Sequence, residues 1–229
     1  GCAAASMLMV QLGLNLFGPL RLAPRQVRRL EVRLRGLEIP PHELATDRQE
    51  AVADGTNGLR LIVRAEAWPE PGAGEDADPS VFSNALASTP FLQADDPAIL
   101  DRARAITAQS PDSAAAARAI HDWVFNSVRK SPTVSLPSAR AVLDSLEGDC
   151  NEHTYLAVAL ARAVGIPARI MIGLVYMDGA FYYHAWPAVR VGGRWIEMDP
   201  TLGQPVADAT HLALAEGELA AQTRLLRYL

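Results

Sequence analysis

Leu30, Val32 and Leu34 alternate with Glu31, Arg33 and Arg35, and Leu59, Leu61, Val63 and Ala65 repeat the alternation further on. A period of two sets one face of an extended chain against a core, so both segments are predicted strands, separated by a polar loop and suited to pairing in an accessory sheet. From Pro69 to Asp78 the run of Pro, Gly, Glu and Asp predicts a linker or exposed loop. Beyond it the period becomes helical. Asp96 before Pro97 marks a helix start, with Ile99, Leu100, Ala103 and Ile106 on one face. A second helix starts near Asp112 and carries Ile120, Val124, Phe125 and Val128 on one side. Pro132 and Pro137 predict a loop from Lys130 to Ser138, and a short helix through Ala141, Val142, Leu143 and Leu146 stops at Gly148.

The next helix is the most informative. Asp149 is a candidate cap, and Glu152, three positions later, completes a capping-box pattern that leaves Cys150 at the first helical position. Leu156, Ala159, Leu160 and Ala163 continue it, and Gly165 with Pro167 ends it. Three strands follow, Arg169 to Tyr176, Phe181 to Val191 and Arg194 to Asp199, joined by the two-residue turns Asp178-Gly179 and Gly192-Gly193 into an antiparallel meander.

The 229 residues suffice for one full domain with an appendage. A 49% hydrophobic and 21% charged composition is that of a globular protein, and a net charge of −5 speaks against general nucleic-acid binding, which needs a basic surface. Lys130 is the only lysine, which limits self-crosslinking. With Cys2 and Cys150 alone there is no disulfide framework and no four-cysteine zinc site. Residues 1–24 form an apolar arm interrupted by Ser6, Gln11, Asn15, Gly13, Gly18 and Pro19 and flanked by Arg21 and Arg25. It reads equally as the remnant of a signal or membrane anchor, which would make the protein membrane-associated or periplasmic, and as a surface helix or disordered arm.

The thiolate is the nucleophilic form of cysteine, and a helix N-terminus favours it through unsatisfied N–H groups and the helix dipole. A lone cysteine is by default a small buried residue, so its partners decide the reading. If Gly192-Gly193 is a two-residue turn, Val191 pairs with Arg194, and the continued register puts His184 across from Thr201 with Asp199 diagonal to it. A carboxylate on one imidazole nitrogen fixes the tautomer and leaves the other for a thiol. The Asp178-Gly179 turn similarly puts Gly173 opposite His184, leaving room for another group to approach. Cys150, His184 and Asp199 together make a nucleophile, a base and an orienter.

Gly-Asp-Cys-Asn-Glu-His (148 to 153), Ala-Leu-Ala-Arg-Ala-Val-Gly-Ile-Pro-Ala-Arg (159 to 169), Tyr-Tyr-His-Ala-Trp (182 to 186) and Met-Asp-Pro-Thr (198 to 201) give residues 90 to 213 a resemblance to the transglutaminase-like superfamily, relatives of papain-like cysteine proteases. The segment around Asp122-Trp123 resembles bacterial members more loosely. The resemblance implies an α+β fold in which a cysteine-bearing helix packs on an antiparallel sheet carrying His184 and Asp199, with N-terminal accessory strands. The implied division is an arm over 1–24, an accessory strand region over 25–89 and a catalytic domain over 90–229. The implied chemistry is thiolate attack on a carboxamide, a thioester, and release by water or an amine. Hydrolysis of protein or peptide substrates is the expected outcome, because water needs no binding site of its own. Transglutaminase crosslinking and a noncatalytic binding domain of the same fold are the alternatives.

No cofactor or metal is implied: Cys150, His153 and His184 offer three ligands and no second pair. Glu152 is first a cap, and Tyr182 and Trp186, on the His184 face, are core aromatics or cleft walls. The Cys150 N–H is one oxyanion donor. Asn151 and Trp123 are weighed for the second, but solvent or backbone bonding explains Asn151 and core packing explains Trp123. Asp208 and His211 fall in a polar turn with no assigned role.

Overall fold

The structure is a computed structural model that describes residues 23–36, 39–55, 58–70, 79–132 and 138–225. Cys2, nearly all of the expected N-terminal arm, and most of the linker before residue 79 lie outside the described residues. The elements in chain order are β1 (Arg29–Arg35), α1 (Pro41–Leu44), β2 (Gln49–Ala53), β3 (Gly58–Arg64), α2 (Ser83–Leu86), α3 (Pro97–Thr107), α4 (Ser113–Ser127), β4 (Arg129–Lys130), α5 (Ala139–Ser145), β5 (Glu147–Gly148), α6 (Cys150–Ala163), β6 (Ala168–Met177), β7 (Ala180–Val191), β8 (Arg194–Glu197), β9 (His211–Glu216) and α7 (Leu219–Leu225). Among the described residues three sheets form, ordered β1-β3-β2, β4-β5 and β8-β7-β6-β9. The protein is therefore of mixed helix and sheet class, with antiparallel main sheets. Among the described residues no helix is long and apolar enough to cross a membrane.

The described chain packs as two compact units that interleave in sequence. One takes in Trp68–Ile170 and Trp186–Val206. Its centre is α6, against which α3, α4 and α5 pack. Every residue from Tyr155 to Ala161 is fully buried, so α6 is a core helix on all sides and not only along the face that Leu156, Ala159 and Leu160 mark. Asp96 and Asp112 cap α3 and α4 by accepting the Ala98 and Ala115 N–H groups, at the helix starts expected from sequence. Ile120, Val124 and Val128 are buried, but Phe125 is 40% exposed. Its ring packs instead against Gly203, where a Cβ would come within 2.7 Å of it. The second half of β7 pairs with β8 from Val191↔Arg194 to Ala188↔Glu197, the register that the Gly192-Gly193 turn predicts.

The other unit takes in the residues up to Ala67, Met171–Ala185 and the residues from Ala207. Here β3 is the middle strand between β1 and β2, burying Leu30, Val32 and Leu34 with Leu59, Leu61 and Val63. β2 is an addition to the sequence reading, because Gln49-Glu50-Ala51-Val52-Ala53 carries a weak apolar signal. β9 is also additional: the meander gains a fourth strand, paired with β6 from Val175↔His211 to Met171↔Glu216 with a bulge between Ile172 and Gly173. Gly173 has a specific reason to be glycine, since a Cβ there would lie 1.9 Å from the Leu212 carbonyl oxygen. The group that approaches this glycine is thus the β9 main chain.

Candidate active site

Three local devices set Cys150 at the start of α6. The Asp149 side chain accepts the Asn151 N–H (2.8 Å), and the Glu152 carboxylate reaches back to the Asp149 N–H (2.9 Å), completing the capping box. Glu152 can fold back only because residue 148 is glycine, where a Cβ would lie 2.1 Å from the Glu152 Cβ. Gly148 itself is held by the parallel β4–β5 pair, Lys130↔Gly148, with the Ser131 N–H donating to its carbonyl (2.9 Å). The Gly-Asp-Cys-Asn-Glu sequence makes the capping bonds among its own residues, and it leaves a half-buried free thiol at the positive end of a core helix.

One turn further, His153 is fully buried, and its Nδ1 donates to the Asp149 carbonyl (2.6 Å). Burial pushes its pKa below the ordinary histidine value, against the pull of the Asp149 and Val128 carbonyls and the Asp199 charge, and with the Lys130 charge acting the same way as burial. Through Nδ1 and the Asp149 main-chain oxygen, His153 fastens the first turn of α6.

Asp199 belongs to the same unit as Cys150 and is fully buried. The β7–β8 register continues one step, with the Met198 N–H donating to the Pro187 carbonyl (2.9 Å). Asp199 then leaves the ladder: its N–H and carbonyl close on Gln204 (2.7 Å each), and Pro200–Gly203 form a turn. Thr201 therefore sits in this turn and not in a strand, a departure from the extrapolated register caused by Pro200 and the closure on Gln204. Asp199 Oδ1 accepts the Thr201 (2.8 Å) and Leu202 (2.9 Å) N–H groups, which fixes the carboxylate.

Behind this turn stands His121 of α4, 1% exposed, with Nδ1 2.8 Å from Asp122 Oδ1 and Nε2 donating to the Asp199 carbonyl (3.3 Å). Sequence reasoning missed His121; its neighbour Asp122 and its place on the apolar face of a helix were the available signals. Trp186 is core, fully buried with its Nε1–H on Glu197 (2.9 Å), whereas Trp123 is only half-buried, with the Arg102 guanidinium 5.2 Å from its ring centroid.

His184 lies in the other unit, on β7, and is 3% exposed. There its ring meets that of His211 edge-to-face, with centroids 5.8 Å apart and planes at 62°. His211 is fully buried and opens β9, so the expectation of a polar turn at 208–211 is corrected in part: Asp208 to Thr210 form the turn, but all of it is buried. Asp208 Oδ1 accepts the Thr210 N–H (2.9 Å) and hydroxyl (2.6 Å) and faces His211 Nδ1 (3.3 Å). Burial raises the Asp208 pKa, but the His211 hydrogen bond and charge and the Thr210 bonds outweigh it, holding the carboxyl well below the usual carboxylate range.

Residues 101–200 match the family model of the transglutaminase-like superfamily. The fold is similar to that of a Cytophaga hutchinsonii chain whose name proposes a cysteine protease, at 20% identity and TM-score 0.51, covering 86% of this chain and 73% of that one. It is similar also to the periplasmic domain of TgpA from Pseudomonas aeruginosa, at 19% identity and TM-score 0.51, covering 76% of this chain and 69% of that one. No curated protein matches the sequence.

Proposed function

We propose that the protein is a cysteine-dependent acyl-transfer enzyme that hydrolyses protein or peptide carboxamides, with Cys150 as nucleophile, His184 as base and Asp199 as the carboxylate that orients it. The observation that carries this reading is the placement of Cys150: a free, half-buried thiol at the first position of a doubly capped core helix, within the matched transglutaminase-like segment. The buried carboxylate of Asp199, fixed by two N–H donors, and the buried imidazole of His184 supply the remaining chemistry.

In this mechanism His184 takes the thiol proton and the sulfur attacks the carbonyl carbon. The tetrahedral oxyanion is met by the Cys150 N–H, and the C–N bond breaks as the imidazolium protonates the leaving amine. Water then gives a proton to His184 and attacks the thioester, and the C–S bond breaks to free the acid and restore the thiol.

The test is product mass from a glutamine-donor and peptide library, with and without added amine, for wild type beside Cys150→Ala. Free acid from wild type alone supports the reading. Predominant amine adduct at low millimolar amine converts it to transglutaminase chemistry. A Cys150 that iodoacetamide labels no faster than an ordinary thiol at neutral pH, with no product, identifies a noncatalytic domain.

A further inference from the structure

We propose that His211 is a positioning residue for the reaction: held by Asp208 and Arg48, it fixes the plane of the His184 imidazole through their edge-to-face contact. The inference rests on the assignment of His184 as the base.

The polar groups gathered around residues 207–211 are too costly to serve as ordinary packing. Arg48 is 3% exposed, Asp208 8%, and Thr210 and His211 not at all, where an apolar core would tolerate none of them without partners. Each has partners, and all converge on one short segment. The Arg48 guanidinium donates to the carbonyls of Ala207 (2.5 Å), Asp208 (3.1 Å from both terminal nitrogens) and His211 (3.1 Å), holding the main chain on both sides of the turn. Its neighbour Gln49 grips the next stretch of β9, donating to the Ala213 carbonyl (2.7 Å) and accepting its N–H (3.0 Å). Asp208 binds the ring of His211 through Nδ1. His211 is thus immobilised at its main chain by an arginine and at its ring by a carboxylate.

What this immobilised ring touches is His184, at a separation and angle within the favourable edge-to-face range. A general base must hold its ring within about 10–20° of the productive orientation. A hydrogen bond to one ring nitrogen restrains the imidazole along a line, and a rigid ring packed edge-to-face with it opposes rotation about that line. The Asp208–His211 pair supplies this second restraint.

The experiment measures the rate at which iodoacetamide alkylates Cys150, read on the Cys150 peptide by mass spectrometry between pH 5 and 9, in the full chain and with melting curves for each variant. His184→Ala is the control for the base assignment. His211→Ala is expected to slow alkylation at pH 7 about tenfold while leaving the high-pH plateau, where the thiolate needs no base, unchanged. His211→Phe, which keeps an aromatic edge, is expected to stay within about threefold of wild type even if it melts lower. A merely structural role predicts the reverse, with both variants following their melting temperatures.

A folded His211→Ala with the wild-type rate overturns the inference, as does a His211→Phe as slow as the alanine variant. Should His211→Ala not fold, His211→Leu decides: it fills the space without an aromatic edge, and a wild-type rate in a folded His211→Leu overturns the inference. If His184→Ala itself reacts as fast as wild type, the base assignment fails and the inference falls with it. If only His184→Ala is slow, the base assignment stands and the positioning role does not.

Discussion

Two aspartates in this protein each secure a buried histidine a few residues later, and they do it differently. Asp149, in the helical unit, caps α6 with its side chain and offers His153 only its main-chain carbonyl. Asp208, in the other unit, binds Thr210 and His211 with the same carboxylate oxygen. The first histidine is held by a group that no substitution at residue 149 removes, and burial drives it towards neutrality. The second depends on a side chain and confers its charge preference on that carboxylate, which stays far more acidic than usual. The lesson is that a buried imidazole can be fastened for geometry alone or for geometry and charge, according to whether its partner is a peptide or an acid.

The largest expected effect separates chemistry from architecture at the first of these turns. Cys150→Ala should lower turnover by a factor on the order of 10⁴ or more, and adding His184→Ala should cost scarcely anything further, because members of a catalytic unit do not act additively. Its urea midpoint should move little, since the capping bonds run through Asp149, Asn151 and Glu152 and not through the thiol. Additive losses in the double variant would dissolve the unit.

Next in size is Asp208→Ala. It strips partners from the Thr210 N–H, the Thr210 hydroxyl and His211 Nδ1, all in a fully buried setting, so unfolding by urea should show a loss of roughly 2–4 kcal/mol. Asp149→Ala is the counterpart and should cost only about 1 kcal/mol, the worth of a cap, because the carbonyl that holds His153 survives the change. Equal losses at the two positions would erase the distinction drawn between them.

The same contrast explains what was legible in the sequence. The Asp149–Glu152 capping box, the Asp96 and Asp112 caps and the two tight turns are short-range devices, so residue type and spacing were enough to find them. Asp178 and Gly179 both take positive φ, as do Gly192 and Gly193, which is what such turns require. The setting of Asp208 and His211 was not legible, because it is made by Arg48 and Gln49, about 160 residues earlier in the chain. The alternation His211-Leu-Ala-Leu-Ala-Glu216 was a strand signal that the polar residues before it obscured. β2 was hidden for a related reason: its burial follows from pairing with β3, not from its own composition. Register was readable as far as Pro187 and Met198 and failed at Asp199, where Pro200 and the closure on Gln204 end the strand.

The smallest expected effect concerns pH, where the two aspartate–histidine pairs should act in different windows. The folded state lowers the pKa of His153, so below the ordinary histidine value near 6.5 the unfolded chain binds a proton that the folded chain refuses. Stability therefore falls as pH drops through that region, with a slope of at most about 1.4 kcal/mol per pH unit from this one group. Asp208 has the opposite origin but the same direction: its folded pKa is depressed, so its contribution is complete above the ordinary carboxylate value near 4 and is lost only below it. His153→Asn keeps a donor for the Asp149 carbonyl and removes the titration. Urea unfolding of wild type and His153→Asn at pH 7.5, 6.5, 5.5 and 5 should give a difference that moves by at most about 0.4 kcal/mol between the upper two values and then shifts increasingly in favour of the asparagine variant. Groups common to both proteins cancel in this difference, provided they act independently of residue 153. A difference that stays flat down to pH 5 would show that burial does not lower the His153 pKa.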